Sequence, residues 1–301
     1  MKIPILLTEK ELLDPLVRTR KRIDDIRSRI ERHEDNSLEV QGLFVMSVSQ
    51  LEVMLNDMLK YFLSNFPGKF PNEDIKISKE EILEAVVPID ILKSNIDKQI
   101  YSEGYKKFEI MLKDFCRVLS VNYERINTEV VDHIIEIKES RNLLVHNNLV
   151  VNKLYLSRAG RFKRAERMGT ILKITKQYLS DSCDFVTSLL DSIEKEIIEK
   201  YSSYTKIEAI KKLWYFMFTS EVMPFDDFWE INLEKDHVFA AKKGRYEGGL
   251  ASSEYKLLGL WRAHFNGNTE YLKDFDMFSF DEGNKKKVLY FLSIVDDFRL
   301  E

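Results

Sequence analysis

The sequence predicts an all-α protein, a helical bundle followed by a smaller and mainly helical C-terminal module. Three observations carry this. The 301 residues include only 11 Gly and 6 Pro, so long uninterrupted elements are expected. Apolar residues recur at helical spacing, not in alternation, through most of the first two hundred residues. Near Ser202-Ser203-Tyr204-Thr205 the character changes, and Trp214, Trp229 and Trp261 follow with many Phe and Tyr. We therefore assign residues 1–203 to the bundle and 204–301 to an aromatic-rich accessory module, in line with a length that suggests about two domains.

In chain order, Thr8 is placed to cap a first helix, with Glu11 at the capping-box position and Leu12, Leu16, Ile23, Ile26 and Ile30 on its apolar stripe. The run Arg18, Arg20, Lys21 and Arg22, mixed with Asp24, Asp25 and Glu31, reads as a solvated face. Asn36 or Ser37 opens a second helix with Phe44, Val48, Leu51, Leu55, Met58 and Phe62 in its core stripe, ending before Pro67-Gly68. Glu52 falls beside that stripe, where a buried carboxylate needs a cation or a hydrogen-bond donor. A Pro-containing connection over 67–77 leads to a helix over 78–104 that is interrupted near Pro88, and then to a helix over 105–119. Asn127 or Thr128 caps the next helix. A long helix over 170–201, with Ile174, Tyr178, Phe185, Leu189, Ile193 and Ile197, closes the bundle or pairs with another subunit. In the C-terminal module a hairpin is expected around 232–249.

Composition excludes several function classes. Net charge is −4 and neither part of the chain is basic, which argues against a general electrostatic grip on duplex DNA. Cys116 and Cys183 have no CxxC partners and read as small buried groups. No HExxH or carboxylate–His spacing indicates a metal, and Gly244–Gly249 lacks the GK[ST] ending of a phosphate loop, so no metal or cofactor is expected. His237 and His264 read as structural. With no signal-peptide pattern and no apolar run of about 18 residues, a cytoplasmic protein without a membrane segment is expected.

The informative stretch is Arg141-Asn142-Leu143-Leu144-Val145-His146, at the end of the helix that begins near Asn127. Val130, Ile134, Ile137 and Leu144 define an apolar stripe that Arg141 interrupts, so its guanidinium must find a partner, a cleft or an interface. Arg-x4-His alone arises often by chance, whereas Arg-Asn-x3-His is expected only about 0.01 times in a chain of this composition. The residue types suit RNA cleavage without a metal: His146 moves a proton, Arg141 clamps phosphate charge and Asn142 orients. At 100° per residue, Arg141 and His146 lie ~140° apart, so a bend, a frayed last turn or the reach of Arg is needed for them to meet. The motif supplies one His, and a second proton-transfer group would most simply come from a two-fold related copy. Directly after it come Arg158, Arg161, Lys163, Arg164 and Arg167 against Glu166 alone, with Tyr155 and Phe162 among them. This is a candidate RNA-binding surface.

Arg141-Asn142-x3-His146, preceded by Glu139 and followed by Asn147, resembles the R-N-x3-H form of the Rx4-6H motif of HEPN domains. Glu52, in Ser49-Gln50-Leu51-Glu52, is similar to an acidic helix position in part of that family. The resemblance covers about residues 8–200 and implies a HEPN-like helical bundle, a homodimer with a composite site, and a metal-independent endoribonuclease of toxin–antitoxin or phage-defence systems. An antitoxin or defence-system partner is implied with it. It also implies that Arg141 and His146 are catalytic, that Asn142 positions the centre and that Glu52 assists. In HEPN toxins controlled by nucleotidyltransferase antitoxins a Tyr lies two residues after the His; here that residue is Asn148, so that mode of inactivation is not expected. The competing reading is a non-catalytic dimeric scaffold in which Arg141 bonds a carboxylate and His146 caps the helix.

Overall fold

The computed structural model describes residues 4–69, 106–218, 252–266 and 275–294, with shorter stretches at 78–79, 91, 94–98, 100, 225, 229–232 and 237–240. Most of the helix expected over 78–104, its break near Pro88, and Gly244–Gly249 lie outside the described residues. The described chain is mostly helical and divides into two compact units. One is Leu7–Thr205; the other is Met1–Leu6 with Lys206–Glu301.

The larger unit begins with α1, Glu9–Ile30, whose start is fixed by Thr8 accepting the Glu11 N–H at 3.2 Å. Ser37 caps α2, Leu38–Asn65, in which Phe44, Val48, Leu51, Leu55, Met58 and Phe62 are all buried. α3, Phe108–Leu119, starts later than the expected 105 because Lys107 already has extended backbone at the cap. Asn127 caps α4, Thr128–Asn147, and a short α5, Lys153–Arg158, follows it. α6, Lys176–Tyr201, closes the unit by packing on α1, α2 and α4.

The expectation that α6 starts at 170 is corrected. Thr175 caps it, and residues ahead of the cap are extended: Val151 donates to Thr170 at 2.8 Å and Leu172 to Leu149 at 3.0 Å. Ile174 is buried, but in this extended approach, where its N–H donates to Asn36 Oδ1 at 3.0 Å. Helical spacing overran the start because a buried residue just before a cap falls in phase with the stripe behind it.

Cross-helix pairs fix the directions. Arg20 meets Asp191 and Glu194, each at 2.6 Å, while Arg27 meets Asp184 at 2.7 Å, so α1 runs antiparallel to α6. Arg20 thus ties two helices instead of only decorating a solvated face. His133 of α4 stacks on Phe185 of α6, and Glu136 of α4 bonds Tyr178 of α6, so α4 is antiparallel to α6 as well.

α4 is enclosed on most sides, and Glu136, Lys138, Glu139 and Ser140 are buried on it together with Ile134, Ile137 and Leu143. Such polar groups persist only when paired. Glu136 accepts from Ser140 Oγ, from Tyr155 Oη at 2.8 Å and from Tyr178 Oη at 2.6 Å. Tyr155 Oη also accepts the Arg164 N–H at 2.9 Å, and the Arg164 guanidinium lies 3.7 Å from the Tyr178 ring centre. One carboxylate therefore fastens the segment after α5 and the start of α6 to the middle of α4.

The other unit contains α7, Lys206–Met217, an antiparallel pair of β1, Trp229–Asn232, and β2, His237–Ala240, then α8, Ser252–Asn266, and α9, Glu282–Ile294. Trp214 and Trp261 are buried in its core and meet edge to face, with ring centroids 5.0 Å apart. The strand pair lies at 229–240, ahead of the expected 232–249, with Trp229 opposite Ala240. β-Branched Ile231 and Val238 face each other in this register and favour strands, whereas the glycines farther on had suggested a turn.

Tyr155→Phe removes one of the three hydroxyls on Glu136 and strands the Arg164 N–H. It is expected to cost about 1–3 kcal/mol, read as a lower urea midpoint with an unchanged slope.

Candidate active site

α4 continues as an unbroken α-helix through Asn147 and stops at Asn148 and Leu149, both left-handed with φ of 49° and 60°. Both of their N–H groups donate to the Leu143 carbonyl, closing the helix end, and buried Leu149 anchors the turn. Asn147 Nδ2 donates to the Val150 carbonyl, and Val150 then bridges Ile171. His146 therefore stands in the last turn on a helix end closed by others. Its side chain is exposed and has no hydrogen-bond or ion-pair partner among the described residues. It does not cap the helix, as the competing reading held; Asn148 does.

Arg141 has a different setting. Its side chain is 19% exposed; Nη2 donates to Glu52 Oε2, and Nη1 donates to Asn142 Oδ1 at 3.2 Å. The partner required by an Arg on an apolar stripe is thus Glu52 of α2, and the partner required by Glu52 is Arg141. Glu52 also meets Lys138 Nζ through Oε1 at 3.1 Å, close enough for an ion pair but without hydrogen-bond geometry. The unbroken helix provides neither the bend nor the frayed turn considered from the sequence. Arg141 and His146 stay about 7.5 Å apart along the axis and ~140° around it, and the reach of Arg141 is spent on Glu52. Within one chain the structure brings Arg141, Asn142 and Glu52 together and leaves His146 apart.

Next to this cluster, Glu139 is buried. Burial raises its pKa above the usual carboxylate range, against the opposing pull of a hydrogen bond with Asn142 and of Arg158, Lys138 and Lys107. Asn142 Oδ1 accepts the Arg141 N–H, and its side chain lies beside Glu139.

The five residues assigned to RNA binding do not form one free basic face. Arg161 pairs with Asp132 at 2.8 Å and lies 4.8 Å from the Phe162 ring centre. Lys163 pairs with Glu166 at 2.9 Å. Arg164 is structural, stacked on Tyr178 and donating to the Lys173 carbonyl. Arg158 and exposed Arg167 remain without an ion pair among the described residues, and Arg158 lies on the Glu139 side of the cluster. Of the two aromatic residues, Tyr155 is buried as a bonding partner of Glu136, and Phe162 stacks on His133 with centroids 3.7 Å apart. Neither is a free base-stacking platform.

Sequence reasoning missed Lys138, Glu136 and His133. Lys138 and Glu136 look like ordinary polar helix residues until the burial of their positions is known. His133 is sandwiched between Phe162 and Phe185, and burial lowers its pKa. Cys116 and Cys183 are free and buried, and burial pushes both thiols up to about 12, which leaves them protonated and unreactive. Among the described residues no group of three or more His, Cys, Asp and Glu gathers at one point. His264 meets Phe291 edge to face at 5.7 Å. The chain matches no family model, no curated protein and no solved structure.

A raised folded-state pKa means that ionised Glu139 opposes folding. Its cost is absent below the ordinary carboxylate range and grows as pH rises through the folded value. Glu139→Gln keeps an acceptor for Asn142 and cannot ionise. Its Tm relative to wild type should therefore rise as pH is raised above the ordinary carboxylate range, and a flat or falling difference would contradict this placement of the carboxylate.

Proposed function

We propose that this protein is a HEPN-type, metal-independent endoribonuclease that cleaves RNA by attack of the ribose 2′-hydroxyl on the adjacent phosphate. The observation that supports it is the division of labour within one helix end. Arg141 and Asn142 are held in a half-buried polar cluster with Glu52, while His146 is exposed and uncommitted. An exposed imidazole can exchange protons with substrate and solvent, whereas a guanidinium held at the helix end by a single carboxylate is placed to exchange that carboxylate for the charge of a phosphate. Asn142 orients the guanidinium and Glu52 steadies it. Because Arg141 and His146 diverge on one helix, the complete centre in this reading forms where two copies of the helix end face each other, each supplying one His146. The biological setting consistent with this reading is a toxin–antitoxin or phage-defence system acting on RNA inside the cell.

One observation favours a second reading. Arg141 already has a carboxylate partner within its own chain, as it would in a dimeric scaffold that kept the fold without the chemistry.

The two separate on incubation of RNA in EDTA with wild type, His146→Ala and Arg141→Ala, each checked for folding by thermal melt. The enzyme reading expects cleavage that survives EDTA and falls at least about 100-fold in either variant, with the Tm of His146→Ala unchanged because its side chain is exposed. No cleavage by folded wild type under any condition supports the scaffold; activity abolished by EDTA in wild type rules out the metal-free route.

A further inference from the structure

The Glu52 cluster holds two cations and one carboxylate. Glu52 Oε1 meets Lys138 Nζ at 3.1 Å, and Oε2 accepts from Arg141. Lys138 has a side chain only 9% exposed, and its ammonium makes no hydrogen bond among the described residues; the buried Nε of Arg141 makes none either. Glu139, another carboxylate on the same helix, forms no ion pair with either cation among the described residues and is influenced by Arg158 and Lys107 besides Lys138. Counted on Glu52, Lys138 and Arg141, the cluster is thus one negative charge short of balance, with hydrogen-bond donors still to be used. Burying an ammonium in this state is costly, and a helix-packing role would be served as well by Leu or Met. Its 5.7 Å approach to the Phe108 ring compensates only in part.

We infer that Glu52 is a shared carboxylate, retained by Lys138 when Arg141 turns to a phosphodiester of single-stranded RNA, so that the bound phosphate is the missing anion of the cluster. The inference rests on the reading of Arg141 as a phosphate ligand, and makes Lys138 a positioning residue. Without Lys138, taking Arg141 from Glu52 would strand a half-buried carboxylate; with it, Glu52 keeps a counter-ion throughout and the exchange exposes no unpaired charge. A phosphodiester matches both the single missing charge and the forked donors of a guanidinium.

The test uses the full chain and a short single-stranded oligonucleotide with 2′-deoxyriboses, which presents the phosphates but cannot be cleaved. Its affinity is measured by fluorescence anisotropy at fixed ionic strength for wild type, Lys138→Met, Glu52→Gln and the double variant, with a thermal melt for each. Lys138→Met, which leaves Arg141 locked to Glu52, should weaken binding about tenfold. Glu52→Gln, which frees Arg141, should bind tighter than wild type. In the Glu52→Gln background the loss from Lys138→Met should shrink to within about threefold, because there is no longer a carboxylate to retain. Equal losses in both backgrounds, a Glu52→Gln protein that binds no tighter, or wild type that does not bind the oligonucleotide each overturn the inference. The Glu52→Gln result decides by itself if Lys138→Met does not fold. Wild type that binds the deoxy probe but leaves the matching RNA intact defeats the nuclease reading instead, and leaves the shared carboxylate standing.

Discussion

The larger unit depends on how α4 neutralises the polar groups it buries. Glu136, Lys138, Glu139 and Ser140 fall in a single turn and a quarter of helix that packing excludes from water. A buried carboxylate or ammonium left alone costs more than most apolar contacts return, so each must find an opposite charge or a hydrogen-bond partner. Glu136 is answered by Tyr155 and Tyr178, which draws the segment after α4 and the start of α6 onto it. Lys138 and Arg141 are answered by Glu52, which ties α2 to the same helix. Glu139 is answered by Asn142 and nearby cations. The polar face of α4 therefore sets the register among its neighbours, where an apolar stripe alone would allow them to slide.

That constraint also shapes the candidate site. Arg141 and Asn142 belong to the part of the helix that α2 covers, where Glu52 and Asn142 Oδ1 hold the guanidinium. His146 lies past it, in the final turn, exposed and without a bonding partner among the described residues. A charge clamp and a proton carrier are complementary requirements for phosphoryl chemistry, and in the proposed reading Arg141 and His146 fill these roles within six residues. It does not provide them on the same face, which is why a second copy enters the proposed centre.

Much of the architecture was legible in the sequence because helix starts carry local chemistry. Thr8, Ser37 and Asn127 act as caps where their residue types and the apolar stripes behind them suggested. The start of α6 was not legible, since Ile174 continues the apolar phase while its backbone already pairs elsewhere. At the site, the need of Glu52 and Arg141 for partners was readable from their places beside apolar stripes; that they satisfy each other was not, because it depends on how α2 and α4 pack. In the basic segment, too, the pairing depends on tertiary structure. A run of Arg and Lys reads as one surface, yet Arg161, Lys163 and Arg164 are each claimed by Asp132, Glu166 and Tyr178. Composition reports charge, while tertiary contacts decide which charges remain free.

The central claim is that the ribose 2′-hydroxyl is the nucleophile, and the ends of the RNA fragments report it most directly. Cleavage products of a defined single-stranded RNA, resolved by mass spectrometry, should carry 2′,3′-cyclic phosphate and 5′-hydroxyl ends, and the same strand with one 2′-O-methyl group at the cut position should stay intact there. Fragments ending in 3′-hydroxyl and 5′-phosphate, or undiminished cutting at the methylated position, would contradict the account.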